Sequence, residues 1–376
     1  MKVLVDLTQI RIAKAGVGVY AHQLLENLLA QDRETEYVTL VQDDDPTLDF
    51  SVFENMQTIR VSSKLFRRIP LRLLMEQIYI PYLVRKHRID VVHSLHYTFP
   101  LISAGAKRVV TIHDLTSFIC PEYLVPIKRF AFRFFIRSSA KWVDRLIFDS
   151  KSTERDFADR FAVEAHKCSV VHLGTALNPE RVVDPVRISA LGVHNPYALF
   201  IGTLEPRKNI TGLLRAFALL REKGLNLSLV VAGNKGWYYE EIFRTHQELA
   251  LGDSVKFTGF IDDATKTLLL SNAAMLVYPS LYEGFGIPVL EAMSFGIPTI
   301  TSNISSMPEI AGDGALLVDP YDVSAIADSM ERILCEPGLA DTLRSKALAR
   351  ASAFSWHNTA KNTLAVYRSA FGSSGH

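Results

Sequence analysis

A chain of 376 residues is too long for one ordinary hydrophobic core and fits two domains of about 150 to 200 residues each. Hydrophobic residues make up 48% and charged residues 22%, with a net charge of +1 and no low-complexity tract, which excludes a disordered or fibrous chain and gives no reason to expect a nucleic-acid partner. Cys120, Cys168 and Cys335 are far apart, odd in number and outside any C-x-x-C spacing, so neither a disulfide framework nor a zinc site is suggested and a reducing compartment is expected.

The opening run MKVLVDLTQI alternates apolar residues and predicts a strand over 2–6, with no basic leader ahead of it. No stretch of about 18 uninterrupted apolar residues occurs, so the chain is expected to be cytoplasmic and at most peripheral on the inner face of the cell membrane. After the first strand comes AKAGVGVYAHQL, where Gly16 and Gly18 stand just before a helical pattern. Glycines there let backbone N–H groups approach a phosphate at a helix N-terminus, although the same G-x-G suits an ordinary tight turn. No acidic residue is placed to bind the ribose of a nicotinamide cofactor, so a dehydrogenase is not expected.

Further strands are predicted near 37–41, 90–93, 108–112, 145–148 and 169–172, separated by helical patterns. The strand within DVVHSLHYTFP ends near His96 and Tyr97, candidates for contacting an acceptor. The next, within VVTIHDLTSF, delivers His113 to its carboxyl end, where an imidazole can donate to a sugar hydroxyl or move a proton. Asp114 beside it can cap the following turn or orient the ring. Between Arg60 and Arg145 the chain carries 16 Lys and Arg against 5 Asp and Glu. That excess is interleaved with apolar residues over 64–88 and 128–145, which can face an anionic lipid surface or acceptor, or can be amphipathic helices with solvated cations.

Residues 174–196 hold three prolines and two glycines without a clear period and read as the break between halves. Strands resume near 197–201, 227–232, 255–257, 274–278, 298–301 and 315–318. Alternating β and α over this length predicts parallel sheets covered on both faces: two doubly wound α/β domains, 1–180 and 181–353, facing each other across a cleft. The last helical segment, 354–376, is expected to pack back on the first domain.

In IGTLEPRKNI, Arg207 and Lys208 stand where a helix is about to begin, against the preference of the helix dipole. An anionic ligand such as a diphosphate would resolve that conflict. In SLYEGFGIPVLEAMSFGIP, two carboxylates, Glu283 and Glu291, have seven residues between them. Glu283 is expected in the loop over a strand end, where it accepts from hydroxyls of a neutral sugar. Glu291 is expected in the first turn of the next helix, where it accepts from a ribose diol. Gly284, Phe285 and Gly286 form the turn between them.

The stretch 281–320, with IGTLEPRKN, TIHDL and AGVGVY, strongly resembles the retaining glycosyltransferases of family four. The resemblance runs over nearly the whole chain. It implies the GT-B fold of two Rossmann-like domains, a nucleotide-diphosphate sugar as co-substrate, and neither metal nor other cofactor. It assigns the donor sugar to Glu283 and the Gly284–Gly286 backbone, the ribose to Glu291, and the diphosphate to Arg207 and Lys208 with Gly16 or Gly18. His113 falls near the anomeric centre, and Gly259 and Phe260 at the base. Many members carry an Arg directly after the first-strand glycine, where this chain has Thr203. The GTLEPRKN variant looks most like bacterial polysaccharide mannosyltransferases using GDP-mannose, as in lipopolysaccharide synthesis. A UDP-hexose donor or a nucleotide-sugar epimerase on the same fold is the alternative. Loss of Glu283 is expected to cripple transfer with the fold intact.

Overall fold

The computed structural model describes residues 1–10, 16–44, 50, 52–66, 69–175, 182 and 184–372. The chain divides into two compact units: one comprises Met1–Phe118, Val125–Gly174 and Ser355–His376, the other Ile119–Leu124 and Thr175–Phe354. The boundary expected at 180–181 lies outside the described residues.

The first unit holds a seven-stranded parallel sheet made of β1 (Lys2–Asp6), β2 (Glu36–Gln42), β3 (Met56–Val61), β4 (Val91–Ser94), β5 (Lys107–Ile112), β6 (Arg145–Phe148) and β7 (Cys168–Val170). Their spatial order is β3-β2-β1-β4-β5-β6-β7, so the winding reverses between β1 and β4. Val3, Leu4, Val5, Val91 and Val109 are buried, the uninterrupted apolar runs that a sheet covered on both faces requires. Sequence periodicity missed β3. It is an edge strand whose Gln57, Thr58 and Arg60 give no apolar alternation, and only its last residue, Val61, is buried.

The terminal helix Trp356–Gly372 lies on this sheet. Its buried face is Trp356, Thr359, Ala360, Thr363, Val366, Tyr367 and Ala370, at spacings of one, three and four. The hydroxyl of Thr359 donates to the carbonyl of His172 at 2.7 Å. Gly174 lies against the backbone of Ser355 and Trp356, where any Cβ would overlap.

The second unit holds β8 (Tyr197–Ile201), β9 (Ser228–Ala232), β10 (Val255–Gly259), β11 (Met275–Tyr278), β12 (Thr299–Ser302) and β13 (Leu316–Val318), all parallel, in the order β10-β9-β8-β11-β12-β13. Here the winding reverses between β8 and β11. Each unit is a doubly wound sheet, whose ligand crevice lies at the carboxyl ends of the strands flanking such a reversal.

Candidate functional site

β8 and β11 are the two strands at the reversal of the second sheet, and the loops leaving both carry the charged residues singled out above. After β8 the chain makes one 3-10 turn, Pro206–Lys208, and helix Ile210–Glu222 begins only after Asn209. Arg207 and Lys208 therefore stand before the helix rather than in its first turn. After β11 the chain passes through Ser280 to Glu283.

These loops meet at the Glu283 carboxylate. Its Oε1 accepts from Lys208 Nζ at 2.5 Å, Ser280 Oγ at 2.8 Å and the Tyr278 hydroxyl at 3.0 Å; its Oε2 accepts from Arg207 Nη1 at 2.9 Å. Arg207 also pairs through Nε with Glu205 at 2.7 Å. Glu283 is 6% exposed and Lys208 7%. Burial alone would raise the Glu283 carboxyl, but the Lys208 and Arg207 charges and the hydrogen bonds from Lys208 and Ser280 outweigh it and hold it at about 2. Burial and the neighbouring Arg207 charge lower the Lys208 amine, against the pull of Glu283 and Glu205. The charge conflict expected of two adjacent cations is thus answered inside the protein by Glu205 and Glu283.

The Glu283 backbone is fixed as well. Its N–H donates to Ser305 Oγ at 3.0 Å and its carbonyl accepts from Ser306 Oγ at 3.0 Å. Ser305 has φ of 60°, a left-handed conformation that costs a non-glycine residue free energy and here aims its hydroxyl at the loop. Gly284 and Phe285 are buried, and Phe285 sets its ring edge-on to Phe354 at 6.0 Å. Gly286 caps helix Ile287–Ser294 with φ of 103°, and a Cβ there would overlap the Met307 side chain. The positive φ demands glycine, whereas the flexible end of Met307 could move aside.

Glu291 is the fifth residue of that helix, one place past the first turn where the sequence suggested it. The dipole argument is correspondingly weaker. The helix ends in a Schellman pattern, with Gly296 N–H donating to Met293 and Ile297 N–H to Ala292. Glu291 is 3% exposed, and its Oε1 accepts from Lys266 Nζ at 2.7 Å. Burial raises its carboxyl and Lys266 only partly offsets that. Nothing in the sequence singled out Lys266, which lies on another helix, Asp263–Asn272. Gly259 ends β10 with φ of 70°, and Phe260 after it is 65% exposed.

In the first unit, Gly16 caps helix Val17–Gln31 with φ of 47° and has nothing within 4 Å of an added Cβ, so conformation rather than space requires glycine. Gly18 is the second residue of the helix. His113 follows β5 directly. Its Nδ1 lies 2.7 Å from Asp149 Oδ2 and its Nε2 2.8 Å from the carbonyl of Leu95. Asp149, beyond β6, is the partner that orients the ring; Asp114 instead accepts the Thr116 N–H at 2.9 Å and caps the next turn. Burial lowers the imidazole, but Asp149, the Leu95 carbonyl and Asp114 raise it further, so its net shift is upward. Both nitrogens of His113 face acceptors within the protein, so the ring is engaged by Asp149 and Leu95 rather than being the free hydrogen-bond donor expected of it. His96 and Tyr97 leave the end of β4, with their rings 4.2 Å apart and 6.2 and 6.5 Å from that of His113.

Among the described residues no group of three or more His, Cys, Asp or Glu is placed to hold a metal ion, and no helix is long and apolar enough to cross a membrane.

Two family models match: Glycosyltransferase Family 4 over residues 15–178 and Glycosyl transferases group 1 over 187–350. The chain is 30% identical to O-antigen chain mannosyltransferase B of Escherichia coli, over 98% of its own length and all of that protein. It is 32% identical to the serotype-specific mannosyltransferase WbdA of Escherichia coli over 71% of its length, spanning 34% of that longer protein. In fold it is similar to sucrose-phosphate synthase from Thermosynechococcus elongatus, with a TM-score of 0.78 over all of both chains at 24% identity. It is also similar to WaaG, a glycosyltransferase involved in lipopolysaccharide biosynthesis, with a TM-score of 0.72 over all of both chains at 15% identity.

Proposed function

The chain belongs to the family 4 and group 1 glycosyltransferases, and from that premise we propose that it moves mannose from GDP-mannose, with retention, onto a saccharide or lipid-linked saccharide in polysaccharide biosynthesis. The observation that carries this reading is the Arg207–Lys208–Glu283 cluster at the reversal of the second sheet. A diphosphate brings at least two negative charges to these cations and competes with Glu283 for them. Exchange then frees the Glu283 oxygens to accept from hydroxyls of the sugar, so one motion binds both halves of the donor. Glu291, held by Lys266, takes the ribose diol; Gly259 and Phe260 meet the base.

Chemistry at the anomeric carbon needs the departing diphosphate stabilised, which Arg207 and Lys208 do without a metal. An oxygen of that leaving group takes the acceptor hydroxyl's proton on the face it leaves, which preserves configuration. In the first unit, His113 and the turn at Gly16 and Gly18 are assigned to the donor, and His96, Tyr97 and Asp114 to the acceptor.

Two helices of the first unit support a peripheral membrane contact. In helix Pro126–Trp142 the residues Ile127, Phe130, Phe134, Arg137 and Lys141 are exposed at helical spacing. In helix Ile69–His87 the exposed stripe is Leu74, Ile78, Tyr82, Arg85 and Lys86. Each is apolar at one end and cationic at the other, as an anionic headgroup layer favours.

A thermal-shift comparison of GDP, UDP and their mannose and glucose conjugates tests the donor. Stabilisation by GDP and GDP-mannose is expected, and preference for UDP species overturns the assignment. Incubation with the preferred donor alone separates transfer from epimerisation, since only an epimerase releases an altered sugar without an acceptor.

A further inference from the structure

Behind His113 lies a buried chain of hydrogen bonds that the reaction described above does not use. Tyr20, in the first turn of helix Val17–Gln31, sets its ring edge-on to His113, with centroids 5.0 Å apart and planes at 80°. Its hydroxyl is 3.0 Å from Thr111 Oγ1 on β5. Thr111 Oγ1 is in turn 2.8 Å from Nε2 of His93 on β4, and His93 Nδ1 is 2.6 Å from the hydroxyl of Tyr367 on the terminal helix. Tyr20 is 1% exposed and the other three are fully buried.

A neutral imidazole has one donor and one acceptor nitrogen. Burial, reinforced by the charge on His113, pushes His93 down to about 3, so it stays neutral and its tautomer fixes the direction of its two bonds. Either Tyr367 donates to Nδ1 and Nε2–H donates to Thr111, or both bonds run the other way. In the first case the Tyr367 hydroxyl is fixed as a donor; in the second Thr111 donates to His93, so Tyr20 must donate to Thr111, and in either case loss of one member leaves a buried polar group unpaired.

We propose that Tyr367 and His93 are positioning residues for His113: the terminal helix, through His93 and Thr111, locks the Tyr20 ring that walls the His113–Asp149 pair from water. Removing the Tyr367 hydroxyl frees that wall. Water then reaches the pair and screens the attraction between imidazolium and carboxylate. A purely structural role for Tyr367 would lower stability and leave His113 unaltered. The inference rests on the reading that His113 acts in transfer only where it predicts turnover; its effect on the imidazole does not depend on the donor.

The test is histidine-selective NMR titration of the full chain without donor, with His113 assigned by its loss in His113→Gln. In Tyr367→Phe the His113 titration is expected to move by at least about half a pH unit toward the ordinary imidazole value of about 6.5. Thr111→Val, which cuts the same chain at its middle, is expected to do likewise. Ser369→Ala, on the same helix and facing Arg145 at the surface, is expected to change nothing. A folded Tyr367→Phe protein with unchanged His113 titration overturns the proposal; if that variant does not fold, Thr111→Val decides alone. Where the titration moves but turnover with GDP-mannose does not, the positioning holds and the role of His113 in transfer fails.

Discussion

Lys208 and Glu283, 75 residues apart in the chain, form an ion pair from which water is almost fully excluded, each less than a tenth exposed. Such a pair is costly to break from one side, because the remaining charge is left buried and alone. Removal of one partner typically costs about 3 to 5 kcal/mol. Glu283→Ala is therefore expected to lower stability by roughly that amount as well as abolish transfer. Chemical denaturation measures the first effect; an unfolding midpoint equal to that of the parent would remove Glu283 from the pair.

Lys208→Ala is expected to lower kcat by about 10² to 10³, as loss of one preorganised donor to a developing oxyanion does. The KM for the donor should rise less, because Arg207 remains. Steady-state kinetics with saturating GDP-mannose checks this, and near-normal turnover would sink the leaving-group role.

Acid should act through Glu283. Its carboxyl is held at about 2 in the folded chain against an ordinary 4.5, so it contributes stability that is fully present above pH 4.5 and is lost as pH falls toward 2. The difference amounts to about 3 kcal/mol. The stability gap between the parent chain and Glu283→Gln is therefore expected to be full at pH 6 and to narrow steadily below pH 4.5. A gap independent of pH over that range contradicts the assignment.

Lys266→Met leaves Glu291 buried without its cation, and the carboxyl, already raised by burial, rises further. Donor affinity should fall about tenfold or more, and by less at the higher pH, where ionisation restores the carboxylate. Calorimetric titration with the nucleoside diphosphate at two pH values is the measurement, and unchanged affinity at pH 7 argues that Glu291 does not hold the ribose.

On the first unit, replacing Ile127 and Phe130 together by Glu is expected to abolish sedimentation with anionic phospholipid vesicles without altering thermal stability, since the two side chains are 62% and 78% exposed. Failure of the parent chain to bind such vesicles ends the membrane reading.

The two sheets were legible because most of their strands, the central ones above all, are short buried apolar runs bounded by turn residues. The edge strand β3 was not, since one partly exposed side leaves no apolar alternation. At the site, Glu283 and the glycines stood out because a turn after a buried strand has little other reason to contain them. The partners that set their charge did not: Lys266 is the single lysine of helix Asp263–Asn272 and belongs to no motif, and Asp149 follows a strand with no motif around it. Sequence spacing reports which backbone positions approach a ligand, whereas pairing between distant elements is decided by packing. The same limit applies to Arg207 and Lys208, whose charge pattern was visible and whose counter-charge, from Glu283 75 residues away, was not.

The terminal helix also fixes when the first unit can be finished. Tyr367 leaves the ribosome roughly 190 residues after Gly174, so at about 5 to 20 residues per second the sheet waits some 10 to 40 s for the helix that covers β4 and β5. Through that interval the nascent first unit keeps His93 and its neighbours open to solvent, while Thr175–Phe354, all of the second unit but Ile119–Leu124, is made within the same wait. The order of synthesis thus favours completion of the second unit before the first. Limited proteolysis of stalled nascent chains should find the first unit cleavable until residues beyond 367 have emerged.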